Sequence, residues 1–108
     1  MTDLSPILGA VSHPTRRAIL ARLSSGPARV TEIAAPFKMS LNAVSKHLKV
    51  LEEAGLVHRE KQGRDHVIAL KAEGLEAVSA WVHEYERFWN RHLDRVEEHF
   101  KTKRGEKP

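Results

Sequence analysis

Hydrogen-bond donors and basic side chains recur at helical spacing in the middle of the chain. Asn42, Lys46 and Lys49 lie four and three residues apart, a spacing that places side chains on one face of an α-helix. An asparagine amide can bind adenine through two hydrogen bonds, and a lysine ammonium can donate to guanine or to phosphate. No acidic residue occurs between Glu32 and Glu52, although solvated helix faces commonly carry both signs of charge. These residue types therefore predict a surface that binds a polyanion, most simply nucleic acid.

The neighbouring apolar residues predict the helix that carries these donors. Apolar side chains recur at intervals of three, four and three residues, at Leu41, Val44, Leu48 and Leu51. This is the period of an amphipathic helix, and at about 100° per residue the four cluster on one side. The side chains expected on the other side are Asn42, Ala43, Lys46, Lys49 and Val50, with Ser45 and His47 at the two borders. Ser40 is the predicted N-cap.

Three helices are predicted before this one. The first begins with Ser5 as N-cap, and the second begins near residues 12–15. The third covers about residues 31–37 with Thr31 as its cap, and a break over residues 38–40 separates it from the donor-bearing helix.

A hairpin and a long helix are predicted after it. Residues 56–61 and 66–70 favour two strands, joined by a turn in which Gly63 accepts a positive φ. The last helix covers about residues 72–103. Two helices joined by a short break and followed by a hairpin are typical of a winged helix-turn-helix, in which the second helix enters the major groove. The predicted fold class is mainly α with a small β-hairpin, in the order α-α-α-α-β-β-α.

The last predicted helix carries an apolar stripe that a small domain has little surface to cover. It would span on the order of 45 Å, and it contains five of the six aromatic residues. A second copy of the chain, packed against it with help from the first helix, is the simplest cover. The alternatives are a helix lying wholly on its own core and a small-molecule pocket lined by the aromatic side chains. The predicted dimer residues are Leu4, Ile7, Leu8, Val11, Trp81, Tyr85, Phe88, Trp89, His92 and Val96.

Composition narrows the class of protein further. A chain of 108 residues fits one domain, which we place at residues 1–103, with 104–108 as a disordered charged tail. Cysteine is absent, which excludes disulfides and thiolate metal sites. The formal net charge is +4, and residues 1–70 carry ten basic and six acidic side chains. This excess again favours a polyanionic partner.

Membrane and enzyme functions are not expected. No apolar run approaches the ~18 residues of a membrane helix, and the N-terminal segment does not fit a secretory signal. We therefore expect a cytoplasmic protein with no membrane partner. A glycine-rich phosphate loop, a cysteine nucleophile and a paired acid and base in a plausible cleft are all missing, so no catalytic residue is predicted.

The helix-turn-helix residues resemble a known family. Residues 39–57, MSLNAVSKHLKVLEEAGLV, are similar to the signature of the ArsR family of bacterial winged-helix repressors, and residues 13–20, HPTRRAIL, resemble its second helix. The resemblance covers about residues 5–100. It implies a homodimer, formed through the first and last helices, that binds an imperfect inverted repeat in double-stranded operator DNA.

The resemblance also implies which residues meet the DNA. In the helix and its cap these are Ser40, Asn42, Ala43, Ser45, Lys46 and His47, at the major groove or its flanking phosphates. Lys49 joins them from its position on the donor-bearing face. Lys61 and Arg64 fall where the hairpin, or wing, would meet the neighbouring backbone or minor groove.

The chain departs from the family at the residues used for metal sensing. Many members use a cysteine motif in the third helix, where residues 29–34 here read RVTEIA. An Asp-x-His pattern on the last helix is also missing, because Val96 stands two residues after Asp94. We therefore predict no metal and no cofactor. The alternatives are a small-molecule effector, a metal-responsive regulator with a non-cysteine site, and a winged-helix protein-interaction module without operator specificity.

Overall fold

Helices and short strands alternate along the described part of the chain. The computed structural model describes residues 3–103 and 105. The elements, in order, are α1 (Ser5–Ala10), α2 (Pro14–Leu23), β1 (Ala28–Arg29), α3 (Val30–Ala34), α4 (Leu41–Glu53), β2 (Val57–Gln62), β3 (Asp65–Leu70) and α5 (Ala72–Lys103). They divide into two compact units, and the boundary falls after Ala77, inside α5. The predicted tail of residues 104–108 lies, apart from Gly105, outside the described residues.

The core of the first unit is built around α4. This helix packs against α1, α2, α3 and β2. The largest fully buried side chains come from α2, α3, α4 and β3 and from the residue before β2. They are Ile19, Ile33, Val44, Leu48, Leu51, Leu56 and Ile68. Burial of such side chains is the main force that holds a small domain together. The apolar side of α4 is therefore fixed by several elements, while its opposite side faces outward.

The sheet has three strands, where the sequence predicted two. The order is β1-β3-β2, and both pairings are antiparallel. β2 and β3 form the predicted hairpin, with Gln62 opposite Asp65 and Gly63 at φ 63° in the turn. A glycine with positive φ at the first turn position is what a type II′ hairpin requires. The missed strand β1 has two residues, too few to show any alternation in the sequence.

Two predicted helix starts were wrong and two were confirmed. α1 has Leu4 as its N-cap, and the Asp3 carboxylate accepts a hydrogen bond from Ser5 N at 2.9 Å. α3 has Arg29 as its N-cap rather than Thr31, because the carboxylate of Glu32 reaches back to accept from Arg29 N at 3.1 Å. The starts of α2, near residues 12–15, and of α4, after Ser40, are as predicted.

The third helix is shorter than predicted. α3 ends at Ala34, not at residue 37. Ala35 still has helical φ and ψ, but Pro36 has no amide hydrogen with which to continue the helical hydrogen bonds. The break before α4 is therefore longer than three residues.

α5 has the predicted bounds, residues 72–103. In the second unit the helix has seven exposed large apolar side chains, Trp81, Val82, Tyr85, Phe88, Trp89, Leu93 and Phe100. The predicted apolar stripe is therefore present as an uncovered surface in the single chain.

Candidate nucleic-acid interface

Ser40 holds the start of α4. Its backbone is extended, at φ −67° and ψ 155°, and its Oγ accepts a hydrogen bond from Ala43 N at 3.1 Å. This is N-cap geometry, in which a side-chain oxygen satisfies an amide that the helix leaves without a partner. The predicted cap is confirmed, and the hydroxyl hydrogen of Ser40 is still available as a donor.

The faces of α4 follow from its burial pattern. The inward side chains Val44, Leu48 and Leu51 are each 0% exposed. The exposed side chains opposite them are Asn42, Lys46, Lys49 and Val50, and the partly buried ones between are Ala43, Ser45 and His47. The outward face thus presents an amide and two ammonium groups, and the carboxylates of the helix, Glu52 and Glu53, come only at its end. We call Asn42, Lys46 and Lys49 the donor face.

Leu41 corrects the predicted apolar side. It was expected to face inward, but it is 51% exposed. As the first residue of α4, it precedes the turns that reach the core. It lies instead in a groove of about 370 Å³ that α4 shares with the start of α3 and the hairpin.

Three arginines line this groove, and two of them form ion pairs with carboxylates. Arg29 lies 2.9 Å from the carboxylate of Glu32 and 3.7 Å from that of Asp65. The hydrogen bonds from Arg29 hold the pKa of Glu32 below its ordinary value. Arg59 pairs with Glu52 at 3.5 Å. Arg64, in the hairpin turn, makes no such ion pair within the described residues.

The two predicted wing residues are on the hairpin and point outward. Lys61 lies on β2 and Arg64 lies in the β2–β3 turn, and both are exposed. They and the donor face of α4 belong to the same unit. The wing and the helix therefore offer cations from two elements, which is the arrangement by which such folds contact a groove and its backbone.

Arg16 makes a contact that the sequence did not predict. Its Nε donates to Ala10 O at 2.6 Å and its Nη2 to Gly9 O at 3.3 Å, at the end of α1. Its Nη1 lies 3.2 Å from Nδ1 of His47 on α4. One guanidinium therefore joins the last carbonyls of α1 to a border residue of the helix that carries the donor face.

His13 completes this group at the start of α2. Its Nδ1 accepts a hydrogen bond from Thr15 N at 3.1 Å, and His13 is therefore the N-cap of α2. The rings of His13 and His47 lie 4.5 Å apart. Burial lowers the pKa of His47, and the neighbouring His13 and Arg16 lower it further. We call His13, Arg16 and His47 the His–Arg cluster.

The sequence signal for the cluster is incomplete. A histidine before a proline is a readable helix start, and Arg16 follows His13 by three residues. His47, whose ring Arg16 contacts, lies 31 residues further along the chain. No local periodicity connects these two residues. Arg29 and Arg59 were missed as rim residues for the same reason.

The predicted dimer residues differ in exposure. On α5, Trp81, Tyr85, Phe88 and Trp89 are 44%, 53%, 60% and 47% exposed. His92 is also exposed and Val96 is partly buried. In the N-terminal group Leu8 is 37% exposed and Ile7 only 4%, while Leu4 and Val11 are partly buried.

The described residues contain no candidate metal site and no candidate membrane-spanning helix. Within residues 3–103 and 105, no three His, Cys, Asp or Glu side chains are grouped so that they could hold a metal ion. His92 lies against the rings of Phe88 and Trp89, with centroids 6.2 Å from each. None of the described helices is long and apolar enough to cross a bilayer.

Comparisons with known proteins identify what the chain is similar to. Residues 11–60 match a family described as a helix-turn-helix domain. The HTH-type transcriptional regulator Rv2034 of Mycobacterium tuberculosis is 43% identical over 84 residues, which is 78% of this chain and 76% of that protein.

Solved structures share the fold. The crystal structure of the ArsR family transcriptional regulator RHA00566 has a TM-score of 0.76 and 45% identity, and the match covers 81% of this chain and 90% of that one. A homodimeric winged helix-turn-helix DNA-binding domain from Mycobacterium bovis, Mb0332, has a TM-score of 0.64 and 25% identity, covering 85% and 82%.

Proposed function

The chain belongs to the ArsR family of winged helix-turn-helix transcriptional regulators, and from this premise we propose that it is a cytoplasmic homodimeric repressor of an inverted-repeat operator. Family membership makes it a DNA-binding transcriptional regulator rather than an enzyme. The observation that carries the finer proposal is the donor face of α4, which is exposed and has no carboxylate beside it before Glu52 and Glu53 at the end of the helix.

In this proposal α4 is the recognition helix. Asn42 donates to and accepts from a base edge, and Lys46 and Lys49 donate to guanine or phosphate. Ala43 contacts a thymine methyl group. Ser40 and Ser45 bind flanking phosphates, which fix the position of the helix. The rigid support of Val44, Leu48 and Leu51, all fully buried, favours this role because a base contact needs a fixed donor position.

The hairpin is the wing in the same proposal. Lys61 and Arg64 contact the DNA backbone beside the major groove. These contacts add affinity for any sequence, because phosphates carry no sequence information. Both side chains are exposed, and neither makes an ion pair within the described residues.

The dimer forms through α5 and α1. Two observations support it, the exposed aromatic face of α5 and the homodimeric description of the Mycobacterium bovis domain. Residues 71–108 carry eight basic and eight acidic side chains, so two copies of this segment meet without net repulsion. Leu8 on α1 and the exposed aromatic residues on α5 are the side chains available to a partner copy. A dimer of this kind would occupy two half-sites about one helical turn apart.

Control of the repressor does not use thiolate chemistry, since the chain has no cysteine. A small organic effector, or regulation through the amount of protein, fits this composition.

The test is a DNA titration followed by fluorescence anisotropy. Wild-type protein is titrated into a labelled duplex from upstream of its own gene and into a scrambled duplex, at two salt concentrations. We expect a dissociation constant on the order of 10⁻⁸ M or tighter, with at least ~10³-fold preference over the scramble. Equal, strongly salt-dependent binding to both duplexes near ~10⁻⁵ M would contradict an operator at that site.

Variants assign the residues within the same assay. Asn42→Ala and Lys46→Ala should each lose about 1–3 kcal/mol of sequence discrimination while the far-UV spectrum stays that of the wild type. Arg64→Ala should weaken binding to both duplexes alike and lower the salt slope by about 1. Lys101→Ala, which removes the same charge from the last helix, is the control. Unchanged discrimination in the α4 variants would remove the recognition-helix assignment.

A further inference from the structure

The His–Arg cluster joins the donor-bearing helix to two other elements. Arg16 lies on α2, and its guanidinium binds the last carbonyls of α1, Ala10 O and Gly9 O, and Nδ1 of His47 on α4. A cation suits the end of α1, because the last carbonyls of a helix have no helical donors and carry partial negative charge. Through the third contact, to His47, the same guanidinium binds both α1 and α4.

The donors in the cluster determine which ring nitrogen of His47 carries the hydrogen. An arginine side chain has only donors, so Nδ1 of His47 must accept in the contact at 3.2 Å. A ring whose Nδ1 accepts is neutral and carries its hydrogen on Nε2. Nδ1 of His13 also accepts, from the amide of Thr15.

Protonation of His47 is opposed by the groups that face it. The charged or titratable groups around its ring are Arg16 from α2 and His13 at the α2 cap. Neither can accept a hydrogen bond at the position of Nδ1–H, and a protonated ring would stand beside the guanidinium cation. Burial and these two neighbours lower the pKa of His47, in agreement with the hydrogen-bond geometry.

We propose that Arg16 is a positioning residue for DNA recognition, which holds His47 as a neutral Nε2–H donor and ties the recognition helix to the end of α1. The inference rests on the proposed function, since it takes the outward side of α4 to meet DNA. A neutral His47 with a defined Nε2–H can donate to guanine N7 or O6, or to a phosphate. Because α1 also contributes to the proposed dimer contact, the same guanidinium couples the placement of the recognition helix to the dimer.

The first test observes the rings without DNA. Long-range ¹H–¹⁵N NMR spectra of the full chain report the tautomer of each imidazole and its titration. We expect His47 in the Nε2–H form at pH 7, titrating below the ordinary histidine pKa of about 6.5. Arg16→Gln should raise the pKa of His47 towards that value. Arg17→Gln is the matched control, because Arg17 also donates to the end of α1, at Val11 O 2.8 Å away, and is not among the groups that lower the pKa of His47.

The second test measures operator binding by the same proteins. Arg16→Gln should reduce the preference for operator over scrambled duplex about tenfold, equivalent to about 1.4 kcal/mol, whereas Arg17→Gln should change it less than twofold. His47→Gln, which keeps a terminal NH₂ donor without a titrating ring, should retain more of the preference than His47→Ala.

The outcomes separate this proposal from the proposed function. A His47 ring that carries its hydrogen on Nδ1 in the wild type overturns the proposal, and this needs no variant to fold. Equal titration of His47 in Arg16→Gln and Arg17→Gln, or equal loss of operator preference in both, overturns it too. If the wild type does not distinguish the upstream duplex from the scramble, the proposed operator at that site is contradicted, while the NMR result still decides the state of His47.

Discussion

Replacing Ser40 tests how the start of the recognition helix serves both stability and binding. Ser40→Ala removes the acceptor of the 3.1 Å bond from Ala43 N and leaves a helix amide without its protein partner. Loss of an N-cap side chain costs about 1 kcal/mol. Ser40 is exposed, so no buried apolar contact adds to this figure. For a small domain the loss corresponds to a decrease in Tm of about 4–8 °C. Urea unfolding at one fixed protein concentration measures it, because a dimer's stability depends on concentration.

Two further variants separate the cap from the DNA contact. Ser40→Thr keeps the capping oxygen and should stay within about 0.5 kcal/mol of the wild type. Ser40→Asp also caps, and its carboxylate suits the positive end of the helix dipole, so its free energy of unfolding should not fall. On a surface that faces phosphates, the same carboxylate should weaken operator binding at least about tenfold, and added salt should narrow the difference. Wild-type affinity in Ser40→Asp would refute the placement of this helix end beside the DNA backbone. Wild-type stability in Ser40→Ala would refute the capping argument.

Three other predictions concern the dimer, the pH dependence and the helix contacts. Trp89→Ala should shift the protein towards monomer in sedimentation velocity at micromolar concentration, and Glu84→Ala on the same helix should not; a stable Trp89→Ala dimer would contradict the α5 contact. Since the folded-state pKa of His47 is lowered, the unfolded chain binds its proton first. Stability should therefore decrease as pH falls through about 6.5, and His47→Gln should reduce that decrease; an equal decrease in urea titrations would show that other groups cause it. Gly74→Ala should destabilise the protein, although alanine favours helix by about 1 kcal/mol, because its Cβ would lie 3.0 Å from Gly55 O; a gain in Tm would refute the close-contact argument.

The recognition helix could be predicted well because its signals are local. The cap at Ser40 and the inward row of Val44, Leu48 and Leu51 act within a few positions of one another. The bounds of α5 were predicted from the same kind of periodicity. Leu41 shows the limit of that reasoning, since its angular position matched the apolar row but the core begins one turn later.

The resemblance to a known family predicted what hydrophobic periodicity alone does not, the family of the protein and its fold. The signature in residues 39–57 indicated a winged helix-turn-helix, and the similar proteins confirm that family and fold. The roles of individual residues at the DNA and at the dimer contact stay predictions, and the variants above are designed to test them one residue at a time.

The sequence by itself determined the elements that depend on neighbouring residues. These are the recognition helix, which carries no acid before Glu52, the hairpin with Gly63 in its turn, and the aromatic stripe of α5. Each follows from caps, turns and periods that operate within about four residues.

Only the tertiary structure decided the contacts between residues far apart in the chain. β1 becomes a strand because β3 has a second edge with which it pairs, not because two residues prefer to be extended. Arg16 meets His47 across 31 positions because α2 and α4 pack together over the buried core. Packing brings their side chains within hydrogen-bond distance, and no local preference of either residue encodes that distance.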